Sequence, residues 1–122
     1  MLWFGIVVVA IVGAGSMIIG AYNAPAPLDG FAQCLKDKRA TFYGAFWCPH
    51  CQNQKKLFGK SESKLPYIEC STSNGKGQTQ ACIDKKIDGY PTWEFADGSR
   101  ESGELSLAKL AEKTDCKLPD SF

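Results

Sequence analysis

All 14 basic and all 13 acidic residues of this 122-residue chain lie at or beyond Asp29. That asymmetry divides the chain into two unlike pieces. Leu2 to Ala21 is a run of uncharged, mostly apolar residues, about the length a helix needs to cross ~30 Å of hydrocarbon. A buried core helix does not explain a run so long and so apolar all round. A cleaved signal peptide is the competing reading, but signal peptides open on a basic stretch and carry a shorter apolar segment. No Lys or Arg precedes this run. Residues 1–22 are therefore expected to form a single-pass transmembrane anchor, with Trp3 and Tyr22 at its two interfaces. Residues 23–27, Asn-Ala-Pro-Ala-Pro, read as a stiff linker, since proline disfavours helix and favours extended backbone. Residues 28–122 then make one small domain.

That domain holds six cysteines: Cys34, Cys48, Cys51, Cys70, Cys82 and Cys116. Cytosolic thiols are kept reduced, so this density points to an oxidising compartment and puts the domain on the extracytoplasmic, periplasm-like side of the membrane. Cross-links would supplement the core of so small a domain. The net charge of +1, with both signs interspersed, excludes the electrostatic footprint of a nucleic-acid binder. His50 is the one histidine, which excludes a multi-histidine metal site.

Periodicity and turn chemistry give a coarse order of elements. Asp29 reads as the N-cap of a helix ending near Lys38, with Phe31, Cys34 and Leu35 on one face. Ala40 to Trp47 reads as a fully buried central strand. Pro49 suits the first turn of a second helix reaching Phe58, with Gly59 just past its end. Leu65 to Cys70 reads as a strand, Ser71 to Gly77 as a loop and Thr79 to Lys86 as a short helix. Thr92 to Phe95 and Arg100 to Ser102 are joined around Asp97-Gly98, a strong hairpin signal. Ser106 can cap a last helix carrying Leu107, Leu110 and Ala111 inward, with Leu105 stapled onto Leu110. The alternation of helices and strands followed by a hairpin predicts an α/β fold, a mixed sheet with helices on both faces.

The chemistry concentrates in Trp47-Cys48-Pro49-His50-Cys51, where the expected buried strand passes into a helix. A helix start, with its unpaired N–H groups and positive dipole end, favours the negative charge of a Cys48 thiolate, the species that attacks disulfides. Cys51 stands one turn later, within reach of a disulfide, and His50 adds a group that stabilises an anion when protonated. A Cys-x-x-Cys pair is also half of many zinc sites, but the remaining cysteines are single and form no second such pair.

Here the chain resembles the thioredoxin superfamily. Tyr43 to Gly59, containing Cys48-Pro49-His50-Cys51, together with Gly89-Tyr90-Pro91-Thr92-Trp93, is similar more narrowly to the thioredoxin-like domain of bacterial vitamin K epoxide reductase homologues. The similarity runs from about Leu28 to Cys116. It implies a thioredoxin-like fold and thiol–disulfide exchange, with Cys48 attacking or being attacked and Cys51 resolving the mixed disulfide. It also implies a cis-proline at Pro91 facing the dithiol, with Tyr90 offering backbone groups to a substrate strand. Trp47 and Trp93, next to Cys48 and Pro91, read either as lining the substrate surface or as plain packing. The redox group is the Cys48–Cys51 disulfide itself, so no separate cofactor is implied. The resembling domains carry a pair comparable to Cys70 and Cys82, which implies a structural disulfide there. Elimination then leaves Cys34 for Cys116, although in a standard thioredoxin the first and last helices lie on opposite faces. A redox relay through Cys34 and Cys116, or four buried reduced cysteines, are the alternatives.

Two departures bear on direction. Ordinary thioredoxins have Gly-Pro between the cysteines and a buried aspartate six residues before the first; this chain has Pro49-His50 and Phe42. Pro-His matches the DsbA-type oxidants, whose potential is roughly −120 mV against about −270 mV for thioredoxin. The resemblance therefore implies an oxidant or isomerase of exported protein thiols and disulfides, recharged by a quinone-linked membrane oxidase of the vitamin K epoxide reductase or DsbB type. A dedicated reductant of the cytochrome c maturation kind, and a disulfide-stapled binding module without turnover, are the competing readings. Lys55, Lys56, Lys60 and Lys64 read as a solvated basic face, and Glu94 as a possible proton carrier near the dithiol.

Overall fold

A computed structural model describes residues 26–122. The expected membrane anchor and residues 23–25 of the linker lie outside the described residues, and among those described no helix is long and apolar enough to cross a membrane. Alternation along the first strand, β1 (Thr41–Gly44), sets the two faces of the sheet. Phe42 is buried in one apolar cluster with Trp93, and Tyr43 in a second with Cys70, Cys82 and Ile87. Successive side chains of a strand point to opposite faces, which is why neighbours in sequence belong to different cores.

β1 is flanked in parallel by β2 (Tyr67–Glu69) and antiparallel by β3 (Thr92–Glu94), which pairs in turn with β4 (Arg100–Ser102), giving the order β2-β1-β3-β4. The helices in chain order are α1 (Asp29–Asp37), α2 (Pro49–Lys56), α3 (Gln80–Asp84) and α4 (Leu107–Thr114), with a 3-10 segment at Gly59–Lys64 after α2. Phe42 opposes Trp93 across the β1–β3 ladder and their rings stack at 5.0 Å. Each such ring, fully buried, contributes about 1.5–3 kcal/mol.

The first helix starts as expected but is capped differently. Leu28 occupies the cap position, and the Asp29 carboxylate accepts from the Ala26 N–H at 3.2 Å instead of from its own helix. The Leu28 N–H donates to Ser61 Oγ at 3.1 Å, and Phe31 stacks on Phe58 at 6.0 Å, so the start of α1 is tied to the turns that follow α2. The last helix is capped by Ser106, whose Oγ accepts from the Lys109 N–H at 3.1 Å, and Leu105 and Leu110 share one cluster.

Two expectations need correction. The strand expected to run from Ala40 to Trp47 stops at Gly44, because the chain must leave the sheet before the helix. The Cys48 N–H turns back to the Ala45 carbonyl at 3.0 Å, and Phe46 and Trp47 are 47% and 48% exposed. The second concerns α1 and α4. Phe31, Ala32 and Leu35 of α1 join the same cluster as Leu110 of α4 and Cys116, the one that holds Phe42 and Trp93, so the two helices lie on one face of the sheet and do not straddle it. Cys34 and Cys116 accordingly meet in a disulfide with Cα atoms 5.9 Å apart. Cys70, just past β2, is bonded to Cys82 of α3 at a Cα separation of 5.4 Å.

Candidate active site

Cys48 is the N-cap of α2, in extended backbone, and Pro49 fills the first helical position, where its missing N–H removes nothing. The helix therefore begins at the sulfur. Cys48 and Cys51 are the free cysteines among the described residues. Cys48 Sγ lies 3.6 Å from the Tyr90 carbonyl oxygen, and the Tyr90–Pro91 bond is cis. Pro91 is fully buried beside that contact. The motif after the loop and the motif at the helix start, 42 residues apart in sequence, thus converge at one sulfur.

Cys51 lies deeper, 1% exposed, against the backbone of β1. A Cβ added to Gly44 would stand 3.0 Å from Cys51 Sγ and 2.9 Å from Cε2 of Tyr67, so only glycine leaves room for the resolving sulfur at this point in the strand. Burial pushes the Cys51 thiol up to about 12; a backbone hydrogen bond at Ala45 acts against it, the hydrogen bond and charge of Cys48 reinforce it, and the charge of Lys55 opposes it. Both sulfurs are buried, Cys48 at 6% exposure at the helix start against the Tyr90 carbonyl and Cys51 at 1% behind it.

The surroundings of Cys48 are held by side chains from three loops. Trp47 donates its indole N–H to Ser71 Oγ at 2.9 Å and meets the Tyr90 ring edge-on at 6.0 Å. Gln78 Nε2 donates to the Tyr90 hydroxyl at 2.8 Å and to the Ile87 carbonyl at 2.7 Å. Glu69 Oε2 accepts from the N–H groups of Phe46 at 3.2 Å and Ser71 at 3.0 Å, fixing the loop that delivers Cys48. His50 sits on the rim, 69% exposed, with Nδ1 3.1 Å from Glu104 Oε2.

Three expected placements change. Trp93 does not line a surface: it is fully buried, stacked on Phe42, and its indole N–H donates to Gln54 Oε1 at 3.2 Å. Pairing with inward-facing Phe42 across β1–β3 obliges it to face the core. Glu94 lies on the other face, bonded to Arg100 at 2.8 Å, where its charge raises the Tyr43 hydroxyl after burial does so. Lys55 is no member of a freely solvated face, since its Nζ lies 3.8 Å over the Tyr67 ring.

Gly44, Gln54, Gln78 and Glu69 were not singled out from the sequence. A glycine inside a strand signals close backbone approach, so Gly44 was readable in principle. Gln54 had no such signal. Its amide accepts from Trp93 and from the Leu105 N–H at 2.7 Å and donates to the Leu105 carbonyl at 2.9 Å, tying α2 to β3 and to the start of α4. Among the described residues no group of three or more His, Cys, Asp or Glu side chains is placed to hold a metal ion.

The sheet order and a dithiol at a helix start beside a cis-proline define a thioredoxin-like α/β protein. No family model matches the chain. It is 45% identical over 91 residues to the thiol-disulfide oxidoreductase LTO1 of Arabidopsis thaliana, a match covering 71% of this chain and 24% of that protein. It is 31% identical over 97 residues to a thioredoxin domain-containing protein 5 homolog of Drosophila melanogaster, covering 67% of this chain and 22% of that protein. These likenesses place the chain in the thioredoxin-like superfamily, and it spans about a quarter of the length of the relatives it matches.

Proposed function

We propose that this chain is a membrane-anchored, extracytoplasmic thiol–disulfide oxidoreductase that forms or isomerises disulfides in exported proteins. The observation that carries the reading is the convergence at Cys48: a free sulfur at a helix start, 3.6 Å from the Tyr90 carbonyl beside Pro91, with Cys51 behind it. A substrate thiolate attacks Cys48 of the oxidised pair, and Cys51 leaves; in the reverse sense Cys51 expels the substrate from Cys48. Backbone groups at Tyr90 hold the substrate strand while this happens, and Trp47 walls one side. His50, at the rim, supplies positive charge to the thiolate when protonated.

The anchor rests on the uncharged run Leu2 to Ala21, and the compartment on the two disulfides that accompany the dithiol. The Pro49-His50 dipeptide and the absence of a carboxylate at Phe42 favour the oxidant over the reductant. An oxidant must return its electrons, and a quinone-linked membrane oxidase of the vitamin K epoxide reductase or DsbB type is the partner that chemistry calls for. In the full chain, Cys51→Ser removes the resolving thiol, so Cys48 is expected to accumulate mixed disulfides with exported proteins. A variant that traps nothing in cells leaves only a binding module. A potential near the thioredoxin value of about −270 mV reverses the direction to that of a reductant.

A further inference from the structure

Cys51 must exist as a thiolate for an instant in either direction of exchange, yet it is 1% exposed, and water does not surround it. The place six residues before Cys48, where a carboxylate would serve the resolving thiol, holds Phe42, buried and stacked on Trp93. Other groups face the sulfur. Gly44 lies beneath it, Cys48 stands one turn earlier at the helix start, and the Tyr67 ring borders it, since Tyr67 Cε2 and Cys51 Sγ both lie within 3.0 Å of the same point above Gly44. Lys55, one turn beyond Cys51 on α2, lays its ammonium 3.8 Å over the centroid of that ring.

The seat of Lys55 is itself fixed. The Tyr67 hydroxyl donates to Glu69 Oε1 at 2.9 Å, and the other carboxylate oxygen is held by the Phe46 and Ser71 N–H groups. Burial first, and then Glu69, raise the Tyr67 phenol, which keeps the ring neutral and its face available to a cation. A cleft of about 590 Å³, lined by Lys55, Lys60, Glu62 and Tyr67 among others, opens on the far side and brings solvent to the ammonium. The charged and titratable groups around the pair are thus Lys55 and Lys60, Glu62 and Glu69, Tyr67 and the Cys48 thiol. Of these, Glu69 is engaged by three donors, and Lys55 is the cation carried one turn from Cys51 on the same helix and seated on the neighbouring ring.

We propose that Lys55, seated on the Tyr67 ring, is the positioning charge that stabilises Cys51 as a thiolate during exchange; this deepens the oxidoreductase reading and rests on it. The step balances without a further reagent. A substrate thiolate attacks Cys48 Sγ, the substrate–Cys48 bond forms, the Cys48–Cys51 bond breaks, and its electron pair goes to Cys51 Sγ. That thiolate is met by the Lys55 charge, and the proton it finally takes is the one the substrate thiol gave up to solvent on ionising. In reverse, Cys51 gives up its proton to solvent and attacks Cys48, and the substrate sulfur leaves with the electron pair.

The test uses the full chain with Cys48 and Cys51 reduced and dithiobis(nitrobenzoate) as the probe. The reagent forms a mixed disulfide at Cys48 and frees one nitrothiobenzoate; Cys51 then expels the second, and the rate of that release against pH reports Cys51 ionisation. Lys55→Met is expected to slow the second release about tenfold at neutral pH and to move the profile upward, the size of one unit of lost charge stabilisation. Lys55→Arg should restore both rate and profile, and Tyr67→Leu, which removes the ring, should follow Lys55→Met in direction. Lys55→Gln repeats the measurement with a polar side chain, so that a poorly folded Met variant does not decide the result. Superimposable wild-type, Met and Gln profiles overturn the role of Lys55 alone. Absence of any second release from wild type overturns the exchange reading and this inference with it.

Discussion

Two cysteine pairs lie on either side of β1, and burial does not tell them apart. Cys51 packs over Gly44 in the core with Phe42, while Cys70 and Cys82 pack against Tyr43 on the opposite face. Cys48 is 6% exposed and Cys51 1%, against zero for both members of the staple. The difference lies in what each sulfur meets. Cys48 stands at the start of a helix with a backbone carbonyl of a second loop 3.6 Å away, a position open to an incoming chain. Cys70 and Cys82 lie against the Ile68 and Glu69 carbonyls of β2 and the apolar cluster. On the proposed reading, reactivity follows from placement at a helix end beside a second loop.

If that division is right, the staples can be removed without stopping the chemistry, and each removal has its own size. On the chain-entropy model, cross-linking residues 82 apart is worth about 4–5 kcal/mol and residues 12 apart about 3 kcal/mol. Cys34→Ala with Cys116→Ala is therefore expected to give the largest loss in denaturant unfolding, followed by Cys70→Ala with Cys82→Ala. Both double variants should keep nitrothiobenzoate exchange within about twofold of wild type under conditions where they remain folded, since placement and not the staples sets reactivity. A collapse of exchange in folded Cys34→Ala, Cys116→Ala protein would show that this pair is a relay and erase the distinction.

The dithiol face, which also carries the Cys34–Cys116 bridge, is tied by a buried amide as well. Gln54 ties α2 to Trp93 and Leu105 by three hydrogen bonds with no exposure at all. Gln54→Leu keeps the volume but leaves the Trp93 indole N–H and both Leu105 backbone groups buried and unpaired, at a cost of about 2 kcal/mol. The same change should slow exchange, because the helix that carries Cys51 loses its anchor; Gln54→Glu, which retains the acceptor, is expected to lie between. Equal stability in Gln54→Leu and wild type would mean that packing alone fixes α2.

What the sequence disclosed divides along the same line. Signals carried within a few residues were legible: the Cys-Pro-His-Cys helix start, the Ser106 cap, and the turn at Asp97-Gly98, where Gly98 adopts φ +83° and Asp97 accepts from the Ser99 hydroxyl and then the Ser99 N–H, both of which lower its carboxyl. Relations across the sheet were not. Trp93 follows Pro91 and invites a surface role, but its ladder partner Phe42 points it inward. Lys55 belongs to a run of lysines by sequence and to the Tyr67 ring in space. Elimination paired Cys34 with Cys116, as the structure has it, although no local pattern announces that the first and last helices share a face. Glycine at position 44 gave a signal, yet its meaning depends on a sulfur seven residues on.

A pH response also separates the free dithiol from the disulfide-bonded pairs. Burial raises the Cys51 thiol from 9.0 to about 12 in the reduced fold, whereas the unfolded chain retains the ordinary value. As pH rises past 9, the unfolded state gives up this proton while the native state keeps it, so the unfolded state binds fewer protons and stability falls with pH. The contribution is fully present below the unfolded value and is lost progressively as pH climbs toward the folded one. Tyr67 and Tyr43 are raised as well and add losses of the same sign. Reduced wild type should therefore unfold at lower denaturant above pH 9 than near neutrality, and reduced Cys51→Ala should lose less over the same interval, the difference isolating the thiol from the phenols. The stapled cysteines carry no titrating proton, so Cys70→Ala with Cys82→Ala should leave the slope unchanged while lowering the whole curve. Parallel alkaline slopes for wild type and Cys51→Ala would show that the resolving thiol is solvated in the native state and that its burial against Gly44 does not govern its charge.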